Sequence, residues 1–400
     1  MNIIVISFDS LRYDSLGFGG NQQVFTPNID RLAFESWSYS NNYTSANESA
    51  ITRYDIFNNT IGSMHIDKPS KPLFNVIENY HKHLIFDNPK LTNYSHDFID
   101  KFDSWMSVRG CYYDKFWCYD DIELPENWEY SNTFNNITNP DNNNLFKLDN
   151  NLKSYSHSNR LREKEEDWAT ARLFLLSGQF LKDNANRDNM FLWIECAGMS
   201  DLWEAPAEIH KLYQQIGSNG KIDPRIFLIQ NNLIKNQSSN IIDALVAAYY
   251  ARITFIDRWI GILLKTITSI GIDENTAIVV TSMSGHKFPF DNLDSFNLLE
   301  NTCHVPLIVK IPHASHQKDI TPTSSTGIYH IIASINNDQS YSTSIAYQNQ
   351  KGIIICAASS DNPDDFAVTD GIDFTHFNDI DLSLNNKISE YALKLINNRK

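Results

Sequence analysis

Apolar positions along the chain recur with two different periods, and their alternation predicts the order of elements. Ile3 to Ser7 is a continuous apolar run, as expected of a central strand covered on both faces. Met190 to Cys196, Thr276 to Ser282 and Val305 to Ile311 repeat that pattern. Other stretches carry apolar residues at helical spacing. Thr26-Pro27-Asn28 predicts a helix start, with Pro suited to the first turn and Ile29, Leu32 and Ala33 on the buried side. Further helices are predicted just after Ser49, over Lys164 to Leu181, and over Ile241 to Ile270.

Strands alternating with helices predict an α/β fold, a doubly wound and mostly parallel sheet flanked by helices. Asp9 follows the first strand at its carboxyl end, where open α/β sheets place their ligands. From about Tyr80 to Arg160 no long periodic pattern emerges, which reads as a loop-rich insertion. After Pro312, Ile328 to Ile335, Thr343 to Tyr347 and Gly352 to Ala357 read as short antiparallel strands, and Asn386 to Asn397 as a terminal helix. The expected organisation is a main domain over 1–312 and a small C-terminal α+β subdomain over 313–400.

Composition narrows the function classes. A hydrophobic content of 42% with 20% charged residues is that of a globular protein. The net charge of −15 and the lack of a basic stripe interleaved with aromatics argue against nucleic acid as a partner. No run approaches the roughly 18 apolar residues of a membrane helix, so no membrane span is expected. The apolar start, Asn2 to Phe8, has neither a basic leader nor a small-residue cleavage site, and the expected location is cytoplasmic. Cys111, Cys118, Cys196, Cys303 and Cys356 form no paired metal or redox spacing and are expected to be free thiols.

Six segments, in order, resemble the sulfatase family of the alkaline-phosphatase superfamily. Asn2 to Arg12 resembles its opening strand and first metal-binding turn, and Thr26-Pro27-Asn28-Ile29-Asp30-Arg31-Leu32-Ala33 is close to its TPN(I/L)D(R/K)LA signature. Phe102-Asp103-Ser104-Trp105 with Val108-Arg109-Gly110 is similar to an FD.W…RG element of one branch. Phe191-Leu192-Trp193-Ile194 resembles the strand before the D-P-H-x-P-W turn. Tyr250 to Trp259 resembles the helix before the second metal turn, and His304 to Val309 the strand after it.

The resemblance implies a metal-assisted transesterification site in which a divalent cation, usually calcium, holds a formylglycine made from Cys or Ser. Such a hard cation needs about six to eight oxygen ligands, several of them carboxylates. Here the expected ligand set is depleted. Asp9 remains in the first turn, but Ser10 stands at the second ligand position. The second metal turn reads Thr281-Ser282-Met283-Ser284-Gly285, so Met283 replaces a carboxylate, and a thioether is a poor ligand for calcium or magnesium. Ser49 aligns with the formylglycine precursor and Arg53 with the Arg that binds it, although Ile51 replaces the usual Pro or Ala. Serine is also favoured at helix starts, so a capping role is the simpler expectation for Ser49. Ser200 occupies the sulfate-binding His position, and the family's Lys and next His fall on about Ser295 and Phe290.

Glu195, Cys196, His286 and Glu48 are candidates to join Asp9 at the sheet edge, while His304 matches a recurrent family residue. These losses point to a degenerate member acting as a binding or interaction scaffold, with an unknown protein partner or a small anion held by Arg53 and Arg12. No cofactor is expected beyond a weakly held calcium, magnesium or manganese ion. The rival expectation is a sulfuric or phosphoric ester hydrolase with a non-standard site built on Ser49, Arg53 and Asp9.

Overall fold

The continuous apolar runs become the middle of one sheet. The computed structural model describes residues 1–60, 71–94, 96–114, 153–213, 239–287, 300–336, 354–359, 362–370, 372 and 374–376. Its strands are β1 (Asn2–Phe8), β2 (Trp37–Tyr39), β3 (Asn42–Tyr43), β4 (His81–Phe86), β5 (Ser104–Ser107), β6 (Met190–Cys196), β7 (Thr276–Ser282), β8 (Leu307–Lys310), β9 (Gln317–Asp319) and β10 (Thr323–Ser324). The main sheet has the order β5-β4-β6-β1-β7-β8-β2-β9. β1 lies between β6 and β7 and is parallel to both, with Val5 opposite Trp193 and Val279. β4 and β5 extend the parallel set, whereas β8 runs antiparallel to β7 and β2.

Side chains alternate across a strand, so β1 must be apolar at successive positions to serve two cores. Ile4, Ile6 and Phe8 pack with Leu192, Ile194, Ile278 and Val280 beneath helix α1 (Pro27–Phe34) and the helices Ala169–Asp183 and Ser239–Ser269. Ile3 and Val5 join Trp193 and Val279 on the other face, covered by Ile56 and Phe57 of helix α2 (Ser49–Asn58) and by the helix Gly327–Asn336. The result is a sheet with helices on both faces. Among the described residues, no helix is long and apolar enough to cross a membrane.

Two local readings need correction. Ile328 to Ile335 belongs to a helix, not a strand. Its isoleucines at 328, 331, 332 and 335 are all buried, which is helical spacing, and that spacing prevails over the β-propensity of the residue type. The stretch from about 80 to 160, read as loop-rich, contains β4 and β5 of the main sheet. Only Leu84, Ile85 and Phe86 of β4 are buried and all of β5 is exposed, so neither strand has the apolar run of β1. Beyond residue 312, β9 joins the main sheet, and Ile354–Ser359, Asn362–Thr369 and Phe374–His376 form a separate antiparallel sheet. Thr343 to Tyr347 and Asn386 to Asn397 lie outside the described residues.

One contact explains why the Thr-Pro-Asn segment and the long helix are both needed. Thr26 precedes α1 but makes no capping hydrogen bond; its hydroxyl accepts from Gly17 N and donates to Asp30 Oδ1. The orphan amides of α1 turn to Asp257 on the Ser239–Ser269 helix instead. Its carboxylate accepts from Ile29 N at 2.7 Å, from Asn28 N at 3.1 Å and from Asn28 Nδ2 at 2.8 Å. Gly261, one turn on, gives Asn28 room: a Cβ there would meet Asn28 Cγ at 2.4 Å. We predict that Asp257→Ala lowers stability by about 1–3 kcal/mol, read from urea unfolding. An unchanged midpoint would mean that α1 is held by packing alone.

Candidate functional site

The carboxyl ends of β1, β6, β4 and β7 lie side by side, and each contributes to one polar cluster. Asp9, buried, leaves β1 with its N–H still donating to Cys196 O of β6 and its carbonyl accepting from Met199 N. Gly198 lies against it at φ +56°, and a Cβ there would meet Asp9 O at 2.9 Å. Ser10 turns the chain with φ 66°, a left-handed conformation uncommon for a residue with a Cβ. The Ser10 carbonyl accepts from Tyr249 Oη at 3.1 Å, which helps hold the turn.

Asp9 gathers two serine hydroxyls and an ammonium as donors. Ser49, the first residue of α2, donates its hydroxyl to Asp9 Oδ1, and Ser284, just past β7, does so at 3.1 Å. The two serine hydroxyls are 3.0 Å apart. Lys90, on the short helix Pro89–Tyr94 beyond β4, donates from Nζ to Asp9 Oδ2 at 3.0 Å. Burial opposes the charged carboxylate, but the Lys90 charge and the Ser49 hydrogen bond outweigh it and hold Asp9 down to about 2. Burial likewise works against the Lys90 ammonium, and Asp9 overcomes it, leaving the Lys90 pKa above its usual value. The simple capping role expected of Ser49 is therefore not what its hydroxyl does.

A second ion pair lies beside the first. Arg53 of α2 and Glu195 of β6 are both buried and face each other through two guanidinium nitrogens, Nε to Oε2 at 2.9 Å and Nη2 to Oε1. Asn88 Nδ2 and Trp193 Nε1 each donate to the same carboxylate at 3.2 Å. A buried guanidinium–carboxylate pair with its remaining acceptor sites filled is a closed unit. Asp9 with Lys90 and Arg53 with Glu195 thus balance one another's charge. Arg12 is also taken, by Asp14, through Nε at 2.8 Å and through Nη2.

The other expected residues have local structural roles. Met283 is fully buried in the apolar cluster with Val5, Trp193 and Val279. Ser200 donates to Ala197 O at 2.8 Å within its own turn. His286 packs against Trp203 and Tyr249, and burial, with the Arg12 charge adding to it, pulls it down to about 4. His304 is stacked between Tyr13 and Tyr43 at 4.5 and 4.7 Å, with Nε2 2.7 Å from the Ser40 carbonyl, which requires a proton on that nitrogen. Cys196 is buried with Sγ 3.9 Å from Asp87, and burial raises its thiol pKa. Glu48 is exposed, and the positions about Phe290 and Ser295 lie outside the described residues. Lys90 and Asn88 were missed by sequence reading; the Asn88-Pro89 turn after β4 was the available signal.

A hard divalent cation does not fit this donor set. Among the described residues, Asp9 is its one carboxylate, Ser10, Ser49 and Ser284 add neutral hydroxyls, and the Lys90 ammonium already holds Oδ2. Among the described residues, no three His, Cys, Asp or Glu side chains gather as a metal site.

Two predictions follow from the ion pairs. Removing one partner of the buried pair, as in Glu195→Ala, should cost about 3–5 kcal/mol, whereas Arg53→Met combined with Glu195→Leu should cost clearly less than the two single changes together. Additive losses in urea unfolding would contradict a closed unit. Asp9 has a folded pKa of about 2, below its unfolded value, so its contribution is present above about pH 4 and lost as pH falls through about 2. The stability gap between the natural chain and Asp9→Asn should narrow by about 2 kcal/mol over that window. A gap independent of pH would show that Asp9 is not held ionised.

Comparison with known proteins places the sequence in a family. The family model for sulfatase matches residues 1–336. The ulvan-active sulfatase of Formosa agariphila is 30% identical over 90 residues, a stretch covering 22% of this chain and only 18% of that enzyme. Among solved structures, the phosphonate monoester hydrolase of Agrobacterium radiobacter superposes with a TM-score of 0.63 at 14% identity, covering 100% of this chain and 95% of that one. Phosphonate monoester hydrolase SpPMH from Silicibacter pomeroyi gives 0.56 at 14% identity, covering 94% and 88%. At such identity the solved structures speak for the fold. The family match spans most of the sequence, and the chain belongs to the sulfatase family.

Proposed function

We propose that this sulfatase-family chain is a binding or interaction scaffold, and that its cleft does not run the formylglycine and metal chemistry of ester cleavage. The observation that carries the reading is the Glu195 carboxylate on Arg53. The arginine at the position that would bind the nucleophile and the ester is neutralised from within, so an incoming anion would have to displace a buried carboxylate.

Among the described residues, no group next to Ser49 acts as a strong base. A serine hydroxyl attacks only when a base or a cation stabilises its alkoxide. Asp9, held at about 2, is a weak base at neutral pH, and it accepts the Ser49 hydrogen bond without a drive to take the proton. The partner would then be a protein, or a small anion reaching Lys90, whose side chain is 45% exposed at the edge of the cluster. The cytoplasmic location belongs to the same proposal and rests on the buried free thiols Cys111, Cys196 and Cys303.

A second reading keeps the chain as a sulfuric or phosphoric ester hydrolase. It is favoured by one contact: the Ser49 hydroxyl is oriented by Asp9 and Ser284 at the carboxyl edge of the sheet. The two readings separate in one experiment. Aryl sulfates, phosphate monoesters and phosphonate monoesters are offered with and without calcium, magnesium or manganese, and the Ser49 peptide is weighed by mass spectrometry. The scaffold reading predicts background turnover and an unmodified serine. Turnover abolished by Ser49→Ala, or a formylglycine mass at Ser49, would replace it with the hydrolase reading.

A further inference from the structure

Asp9 poses a problem that any fold must solve: a carboxylate buried at the end of the central strand needs a counter-cation. In the family resemblance that cation is a metal ion, for which the surrounding donors here are too few and too neutral. We propose that Lys90 is the resident counter-cation of Asp9, standing in for the divalent ion. The proposal rests on the cleft being balanced from within, though not on whether it turns over an ester.

The geometry is specific. Lys90 Nζ lies 3.0 Å from Asp9 Oδ2, and the Asp9 side chain is 2% exposed. The other oxygen accepts from Ser49, from Ser284 and, at 3.4 Å, from Ser10, so the carboxylate has a donor on each side. A cation would need Oδ2, and the ammonium is already on it with a full positive charge. At this separation two positive charges cannot share one carboxylate without strong repulsion.

Lys90 is not there by the chance reach of a long side chain. Its backbone N–H donates to Asn88 Oδ1 at 3.1 Å, and Asn88 Nδ2 donates to Glu195 at 3.2 Å. One turn, Asn88-Pro89-Lys90, therefore serves both ion pairs, supplying an amide donor to the carboxylate on Arg53 and a cation to Asp9. Lys90 acts as a positioning residue: by fixing the ionised Asp9 it fixes the two serine hydroxyls that point at that carboxylate.

The test is divalent-ion dependence of thermal unfolding in the full chain. Calcium, magnesium and manganese at about 10 mM should leave the melting temperature of the natural chain and of Lys90→Arg unchanged. Lys90→Gln, which removes the counter-charge without altering the hydroxyls, should melt lower than the natural chain and Lys90→Arg, with or without the ions. Should Lys90→Gln be too unstable to melt cleanly, the same comparison is made by urea unfolding with Lys90→Met, alone and with Asp9→Asn. The two changes should couple by about tenfold or more in the unfolding equilibrium. A melting temperature of Lys90→Gln equal to that of the natural chain, a stabilising ion response in the natural chain, or additive effects of Lys90→Met and Asp9→Asn would overturn the proposal. Ester turnover by the natural chain with no ion response would remove the scaffold reading and leave the role of Lys90 standing.

Discussion

A carboxylate buried at the end of a central strand organises this molecule. Asp9 is fixed in place by β1, whose two neighbours hold it on both sides, and it cannot move toward water without breaking that register. Its charge must be met where it stands. Lys90 comes from beyond β4, two strands away, Ser49 from the start of α2, and Ser284 from the end of β7. The separate loops at the carboxyl edge are in this sense answers to one electrostatic demand.

The same logic explains why Arg53 and Glu195 lie so close to Asp9. α2 brings both Ser49 and Arg53 to the sheet, so a second charge enters the interior with the hydroxyl. Glu195, at the carboxyl end of β6, meets it, and Trp193 on the same strand supplies a further donor. Two neutral pairs result, Glu195 with Arg53 and Asp9 with Lys90. The sulfatase-family scaffold is thus retained in a form whose charges satisfy one another.

Much of the scaffold was legible in the sequence, because burial on both faces of a sheet leaves a continuous apolar run and burial on one face of a helix leaves a repeat. β1, β6 and β7 were readable in this way, as were the Ser239–Ser269 helix and the place of Asp9. β4 and β5 were not, since the first half of β4 is polar and β5 is exposed throughout. Isoleucine misled at residues 328–335, where residue type suggested a strand and spacing a helix. In the site, the motif singled out Ser49, Arg53 and Asp9, and the structure brings all three to the carboxyl edge of the sheet. Lys90 and the Glu195–Arg53 pairing could not be placed in that way. These contacts join residues 81 and 142 positions apart, and charge pairing at such separation leaves no periodic trace along a single chain.

The central claim is that the cleft is electrically complete without an added ion. Its most direct test is elemental analysis of the natural chain, purified without chelator and dialysed against metal-free buffer. The account predicts calcium, magnesium and manganese far below one per chain. A stoichiometric divalent ion that disappears in Asp9→Asn would contradict it.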